Sequence, residues 1–425
     1  MRISTSLVLT TAASVALAGS SARQVVPLQR RQVDALDNST TSSTNNLTTV
    51  IQPALSILNA LPFPFDRSGA NNATISNITL PSSANFEYGG QASIAQAREE
   101  LEKIANATVV AYQEEFLEIA GNITLERIFT GGNFHEAPVY IPSTNQIFLT
   151  PDIGSSQYLI DLNTTTLSNF TTSPAIENIN GGTFHGGLLF VTTNGGNGTH
   201  PAVFSVDPTT NQSAIVVDNY FGLRFNSLNE IVADAEGNLW FNDPTYGYLN
   251  GLNPSPPQLT AGTYLYNTTT KLVKLVADQI EQPNGIAFSP DRSVVYISDT
   301  ASSQGGGLPP LAGPRAIYAF DVLDGTFVSN RRVFHLNPSG IPDGIKVDSA
   351  GRIWSVFGDA DTGAIEVINP DGQMLGLIQL PQGAQATNLV FVPPQEGETT
   401  DELWLIGGDS IWRIRQLNVT GVRLE

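Results

Sequence analysis

Cysteine is absent from this 425-residue chain. That excludes a disulfide framework, a thiol nucleophile and thiolate-ligated metal sites. Histidine occurs only 4 times, so a metal site built from several side chains would have to rely mainly on oxygen donors. Positive charge is also scarce, with Lys+Arg 20 against Asp+Glu 39 and a formal net charge of -19. This is the wrong sign for gripping nucleic-acid phosphates or anionic lipid headgroups, and neither nucleic acid nor a membrane is an expected partner. No G-x-S-x-G stretch occurs, which removes the nucleophile elbow of a serine hydrolase from consideration. No run reaches the roughly 18 to 20 apolar residues that span a bilayer.

What is present points to a secreted globular protein. Hydrophobic residues at 41% against charged residues at 14% suffice for a large core and are too apolar for a disordered chain. Residues 1–22 carry Arg2, the apolar run Leu7 to Ala18 and the small-residue pattern Ala16-Leu17-Ala18. That pattern reads as a cleavable signal peptide. Residues 23–90 are rich in Ser, Thr and Asn and read as a flexible leader, with a possible dibasic processing site at Arg30-Arg31. Sequons begin at Asn38, Asn46, Asn72, Asn77, Asn106, Asn122, Asn163, Asn169, Asn197, Asn211, Asn267 and Asn418. Behind a signal peptide, that density predicts a glycosylated extracellular protein. Residues 91–121 are rich in Ala, Glu and Leu with apolar spacing near the helical period, which predicts a helical segment.

From residue 122 to 425 the texture changes to short β-branched and aromatic runs separated by Gly, Asn, Asp and Pro. The segments NQIFLTPD at 145, GGLLFVTTN at 186, GNLWFNDP at 237, SVVYISDT at 293, GRIWSVFGD at 351 and ELWLIGGD at 402 share one pattern. Their anchors Phe148, Phe190, Trp240, Tyr296, Trp354 and Trp404 recur about every 40 to 60 residues, a spacing of propeller blades. The last repeat lacks its outer strand, and a matching strand stands first, as NITLERIFTGG from Asn122 to Gly132. The pattern predicts an all-β six-bladed propeller whose N-terminal strand completes the last blade and closes the ring.

Aligning the strand that opens each repeat places Glu136, Asn180, Asn229, Asn284, Asp343 and Asn388 at one position around a central channel. Buried amides and carboxylates facing one another need a partner, and paired carboxylates repel unless a cation lies between them. Hard oxygen donors of this kind favour Ca²⁺, with Mg²⁺, Mn²⁺ or Zn²⁺ as alternatives.

The segments NSLNEIVADAEGNLWFNDPTYGY, QPNGIAFSPDRSVVYISDT and GIPDGIKVDSAGRIWS resemble the blade motifs of the SMP-30/gluconolactonase/LRE-like family. The resemblance implies a calcium-dependent propeller that hydrolyses lactones. It implies metal ligands at Glu136, Asn284 and Asp343, with Asn229 near both metal and substrate. This chain departs from the family at Glu230, where Asp is usual, and at Arg224, a displaced counterpart of a substrate-contacting arginine.

On this reading Asp343 and Asn229 are catalytic, Asp343 ahead of Glu136 as acceptor of the water proton. Asn180, Asn388, Arg224, Glu230, His135 and His185 are the candidate substrate contacts, and the two histidines are further candidates for the base. The substrate is a small lactone. The alternatives are an esterase or organophosphate hydrolase on the same metal, and a non-enzymatic binding propeller with a structural calcium.

Overall fold

A computed structural model describes residues 107–422 apart from 197, 304–312, 339, 359–362, 396 and 398, together with four short strands within residues 49–88. These residues belong to the compact unit that begins at Thr44. Among them no helix is long and apolar enough to cross a membrane.

Six antiparallel sheets follow one another along the chain. Their innermost strands are Glu136–Ile141, Ile179–His185, Ile231–Ala233, Pro283–Phe288, Ile341–Val347 and Asn388–Val392. Blades one to five each add three more strands in sequence order. Blade six contains Asn388–Val392, Glu402–Gly407 and Ser410–Arg415, and its fourth strand is Thr124–Thr130, from the beginning of the domain. The protein is a six-bladed β-propeller with the circular offset expected from the repeats.

The recurring aromatic anchors explain the blade cores. Phe148, Trp240, Trp354 and Trp404 are buried, and each indole N–H finds an acid. Trp240 Nε1 donates to Asp234 at 3.1 Å, Trp354 Nε1 to Asp348 at 3.0 Å and Trp404 Nε1 to Glu402 at 2.9 Å. Asp234 and Asp348 also accept backbone N–H groups of the turn that leads to the tryptophan. One short acidic turn therefore sets the hairpin and satisfies the buried indole. Apolar clusters then fill the junction between every pair of successive blades, including blade six against blade one.

Ring closure carries its own charge pairs. Buried Glu126, on the closing strand, accepts from Arg413 Nε at 2.7 Å and from Arg415 Nη2 at 2.6 Å, both on the neighbouring strand of blade six.

Two expectations about the N-terminal region change. Within the segment expected to be helical, Val109–Ala111 is a strand that pairs with Met374–Gln379 and adds a fifth strand to blade five. Its β-branched residues are fully buried there, and covering an open edge outweighs helical propensity. Residues 91–106 of that segment lie outside the described residues; in its described part a helix covers Glu115–Ala120, with Phe116, Ile119 and Ala120 packed between blades five and six. Within the leader, Thr49–Ile51 pairs with the closing strand and Leu55–Ile57 with Val109–Ala111, so part of that low-complexity stretch forms sheet. The signal sequence and Arg30-Arg31 lie outside the described residues, as do Asn38, Asn46, Asn72, Asn77, Asn106 and Asn197.

Candidate functional site

The six aligned positions stand at the mouth end of the innermost strands. Glu136 and Asn388 open theirs, Asn180 and Asn284 are second, Asp343 is third, and Asn229 precedes Ile231 by two residues. Asn229 is held in the same register by its N–H to the Asn242 carbonyl at 2.9 Å. Asp343 is half-buried; Glu136, Asn180, Asn229, Asn284 and Asn388 are buried.

The backbone at this level is irregular by construction. Register shifts occur between Glu136 and Val139, Ile179 and Gly181, Pro283 and Ile286, and Pro342 and Ile345. Such bulges re-aim side chains at the rims of closed sheets. Ala137 follows Glu136 with φ 54, in the left-handed region that a residue with a Cβ disfavours. Adjacent blades also touch closely here. A Cβ on Gly344 would lie 2.4 Å from Asn388 Oδ1, and one on Gly181 would lie 2.3 Å from the Asn229 carbonyl oxygen.

A second set of residues, missed in the sequence reading, holds the ring in place. Each lies two positions after a blade anchor and reaches into the following blade. Thr150 Oγ1 donates to the Ile179 carbonyl at 3.1 Å, Thr192 Oγ1 to that of Asn229, Asn242 Nδ2 to that of Asn284 at 2.6 Å, and Ser298 Oγ to that of Asp343 at 3.1 Å. Thr387 Oγ1 in blade six donates to the carbonyl of His135, next to Glu136. The available signal was a small polar residue at the same offset from four anchors, in IFLT, FVT, WFN and YIS. Asp243 anchors the approach to Asn229, accepting from the N–H groups of Asn226 and Ser227 at 2.7 to 3.0 Å. Burial pushes its pKa up to about 7, against the lowering effect of those amides and of Arg224.

Charge is concentrated in the bore. Burial holds the Glu136 carboxyl well above its ordinary pKa, and the negative charges of Asp343 and Glu230 raise it further. Asn388 Nδ2 bridges two of these acids, donating to Glu136 Oε2 and Glu230 Oε2 at 2.7 Å each. Lys346 Nζ lies 3.7 Å from Glu230 Oε2. The other Glu230 oxygen, Oε1, is buried without a hydrogen-bond partner among the described residues. Beyond the ring the bore opens into a cavity of about 140 Å³ with walls from all six blades, including Val139, Phe184, Ile231, Ile286, Val347 and Val390.

Several candidate contacts are placed differently from the sequence reading. His185 closes the strand in which Asn180 is second, five residues further along and roughly 17 Å away at strand rise, and packs on Gly237. It is at the far end of the bore and cannot act at the mouth. Arg224 turns its guanidinium to the carbonyls of Ser255 and Pro256, each at 3.1 Å, and so fastens a rim loop. Asn388 was expected to present its carbonyl oxygen inward. Its amide nitrogen faces the two acids, while Oδ1 accepts from the Leu389 N–H at 2.8 Å; it is a bridge between carboxylates. Glu230 crosses the bore to Asn388 and Lys346. His135 stays at the mouth, with Nδ1 4.0 Å from Glu136 Oε1 and Nε2 3.9 Å from Asp152 Oδ1.

Among the described residues no three His, Cys, Asp or Glu side chains are gathered as a ready-made metal cluster. The donor set is of another kind, two crowded carboxylates with amide oxygens beside them. Burial first, and then the neighbouring acids, raise Glu136; a hard divalent cation beside it would favour its charged form, so the residues fit such an ion.

The family model for the SMP-30/Gluconolactonase/LRE-like region matches residues 134–405. Lactonohydrolase oryL of Aspergillus oryzae is 33% identical over 66% of this chain and 67% of its own length. Lactonohydrolase oryH of the same organism is 30% identical over 70% of this chain and 77% of its own. The solved structure of XC5397, a gluconolactonase from Xanthomonas campestris, superposes with a TM-score of 0.59 at 25% identity, covering 72% of this chain and 94% of that one.

Proposed function

The chain belongs to the SMP-30/gluconolactonase/LRE-like family, and on that premise we propose that it is a secreted lactonase that depends on a divalent cation and works at the mouth ring. The observation that carries this reading is the crowding of Glu136, Asp343 and Glu230 in one buried bore. The names of the two Aspergillus relatives and of the Xanthomonas structure support a lactone as substrate.

Glu136, Asn229, Asn284 and Asp343 would hold the ion, calcium first by the hardness of their oxygens. When bound, it supplies Lewis acidity toward a carbonyl oxygen and lowers the pKa of nearby water. Asp343 is half-buried at the mouth and is the group placed to take a proton from the attacking water. Asn229, fixed by Thr192 and Asn242 through its backbone, orients the reacting group. Water addition to the carbonyl and cleavage of the ring C–O bond give the hydroxy acid, and the alkoxide takes up the proton. His135, beside Glu136, lies where a lactone hydroxyl would arrive.

Release of acid from a panel of five- and six-membered sugar lactones, followed by pH-stat with and without chelator, tests the reading. Turnover lost on chelation and restored by calcium is expected. Chelator-insensitive turnover, or no turnover with any lactone, overturns it.

Secretion is part of the proposal and rests on the signal sequence and the sequons. Asn122, Asn163, Asn169 and Asn418 are exposed and accessible to a transferase, and Asn211 and Asn267 are half-buried. A mobility shift on treating protein from the culture medium with an N-glycosidase is expected, and unshifted protein confined to cells contradicts it.

A further inference from the structure

The ring holds more acid than one divalent ion neutralises. Glu136, Glu230 and Asp343 contribute three negative charges when all are ionised around an ion, and the first two carboxyls are fully inside the barrel. A buried carboxylate without a countercharge is strongly unfavourable. Lys346 supplies one. It projects from blade five, three residues after Asp343 on the same innermost strand, and its ammonium reaches Glu230 of blade three. Blade four lies between these two in chain order, so the ion pair spans the bore instead of joining neighbours. The extra methylene of Glu230, relative to the Asp usual in the family, extends the carboxylate toward this crossing. On the other side Asn388 ties the same Glu230 oxygen to Glu136.

We propose that Lys346 is the fixed countercharge of the channel and, through Glu230, a positioning residue for the cation. Three carboxylates and one ammonium leave a net charge of minus two, which a divalent ion brings to zero. Lys346 thus sets the affinity of the ring from beneath it, and the Lys346–Glu230 bar separates the polar mouth from the apolar cavity that Lys346 also lines. This inference rests on the reading of the ring as a cation site.

The test is calorimetric titration of Ca²⁺ into chelator-stripped protein: wild type, Lys346→Met, Glu230→Gln, the double variant, and Lys346→Arg as a charge-preserving control. Removing the ammonium takes away repulsion toward the ion, so Lys346→Met is expected to bind Ca²⁺ about tenfold more tightly or better. Glu230→Gln is expected to bind about tenfold more weakly. The double variant and Lys346→Arg are expected to return close to wild type. Unchanged or weaker binding in Lys346→Met, with wild type binding normally, overturns this inference alone; a double variant that binds as weakly as Glu230→Gln does the same. Absence of calcium binding in wild type overturns both this inference and the cation reading of the ring. If Lys346→Met fails to fold, the Glu230→Gln and Lys346→Arg pair still decides, since equal affinities in those two contradict the charge account.

Discussion

Two groups of buried acids in this propeller are neutralised in opposite ways. Between blades four and five, Glu366 is buried and accepts from His335 Nε2 at 3.1 Å and Asn337 Nδ2 at 2.7 Å. His335 Nδ1 also meets the Gly372 carbonyl at 3.1 Å. One acid faces one base, and the imidazole pKa is raised above its ordinary value because the Glu366 interaction outweighs the effect of burial. Glu126 is likewise matched by protein bases, here two, Arg413 and Arg415. At the mouth ring three acids face one lysine. Where acids are matched by protein bases they stabilise the fold; where they are left in surplus they are available to an external cation. Substitutions in the two kinds of site should therefore separate cleanly, stability from metal binding.

The largest effect is expected at ring closure. Deleting residues 122–132 removes Glu126 from its two arginines and strips blade six of its outer strand, and no cooperative thermal transition should remain. A native-like melt of the truncated protein would show that the closure is dispensable.

Next come the surplus acids. Glu136→Gln and Asp343→Asn should each weaken calcium binding about a hundredfold or more and abolish turnover at moderate calcium, while the melting temperature of metal-free protein stays level or rises as repulsion is relieved. Titration calorimetry with calorimetric melts checks both halves. A loss of metal-free stability with unchanged calcium affinity would place these acids with the structural group.

The matched cluster should respond in the reverse sense. His335→Gln is expected to lose about 1 to 3 kcal/mol of stability with unchanged calcium affinity. A raised imidazole pKa means that its contribution is fully present below the ordinary value of about 6.5 and is lost as pH rises through the folded-state value. The gap between wild type and variant should accordingly narrow from pH 6 to pH 9 in denaturant titrations. A gap that widens with pH would contradict the pairing.

Within the ring, Asn284→Ala should raise the calcium needed for half-maximal turnover and be rescued by excess calcium. Asn229→Ala should lower kcat at saturating calcium. Turnover against calcium concentration reads both, and full rescue of Asn229→Ala would reverse the division. The smallest effect is expected at Thr192→Val. It leaves the Asn229 carbonyl without its hydroxyl donor and should cost about 1 kcal/mol of stability with a modest fall in kcat.

The blade count, the circular offset and the level of the mouth ring were legible in the sequence because each repeats. Period and register survive translation into sheets, and a residue at one offset in every blade lands at one height. Asn388 was found by the same alignment and Glu230 as a departure from the family motif beside Asn229, but which atoms they present depends on contacts across the bore, and these join residues 158 and 252 positions apart. Lys346 was passed over because it occurs in one blade only. His185 was misplaced for a simpler reason: a histidine near a conspicuous opening motif was read as belonging to the mouth, although strand rise carries it to the other end. Val109–Ala111 reads as helix from composition, and only the uncovered edge of blade five makes it a strand.

The central claim, that the surplus negative charge of the ring is a cation site for lactone hydrolysis, is tested most directly by measuring calcium stoichiometry and lactone turnover on the same chelator-stripped sample as calcium is returned. The account predicts that turnover rises in proportion to occupancy of one ion per chain and that Asp343→Asn loses both together. Full turnover in protein that holds no divalent ion would contradict it.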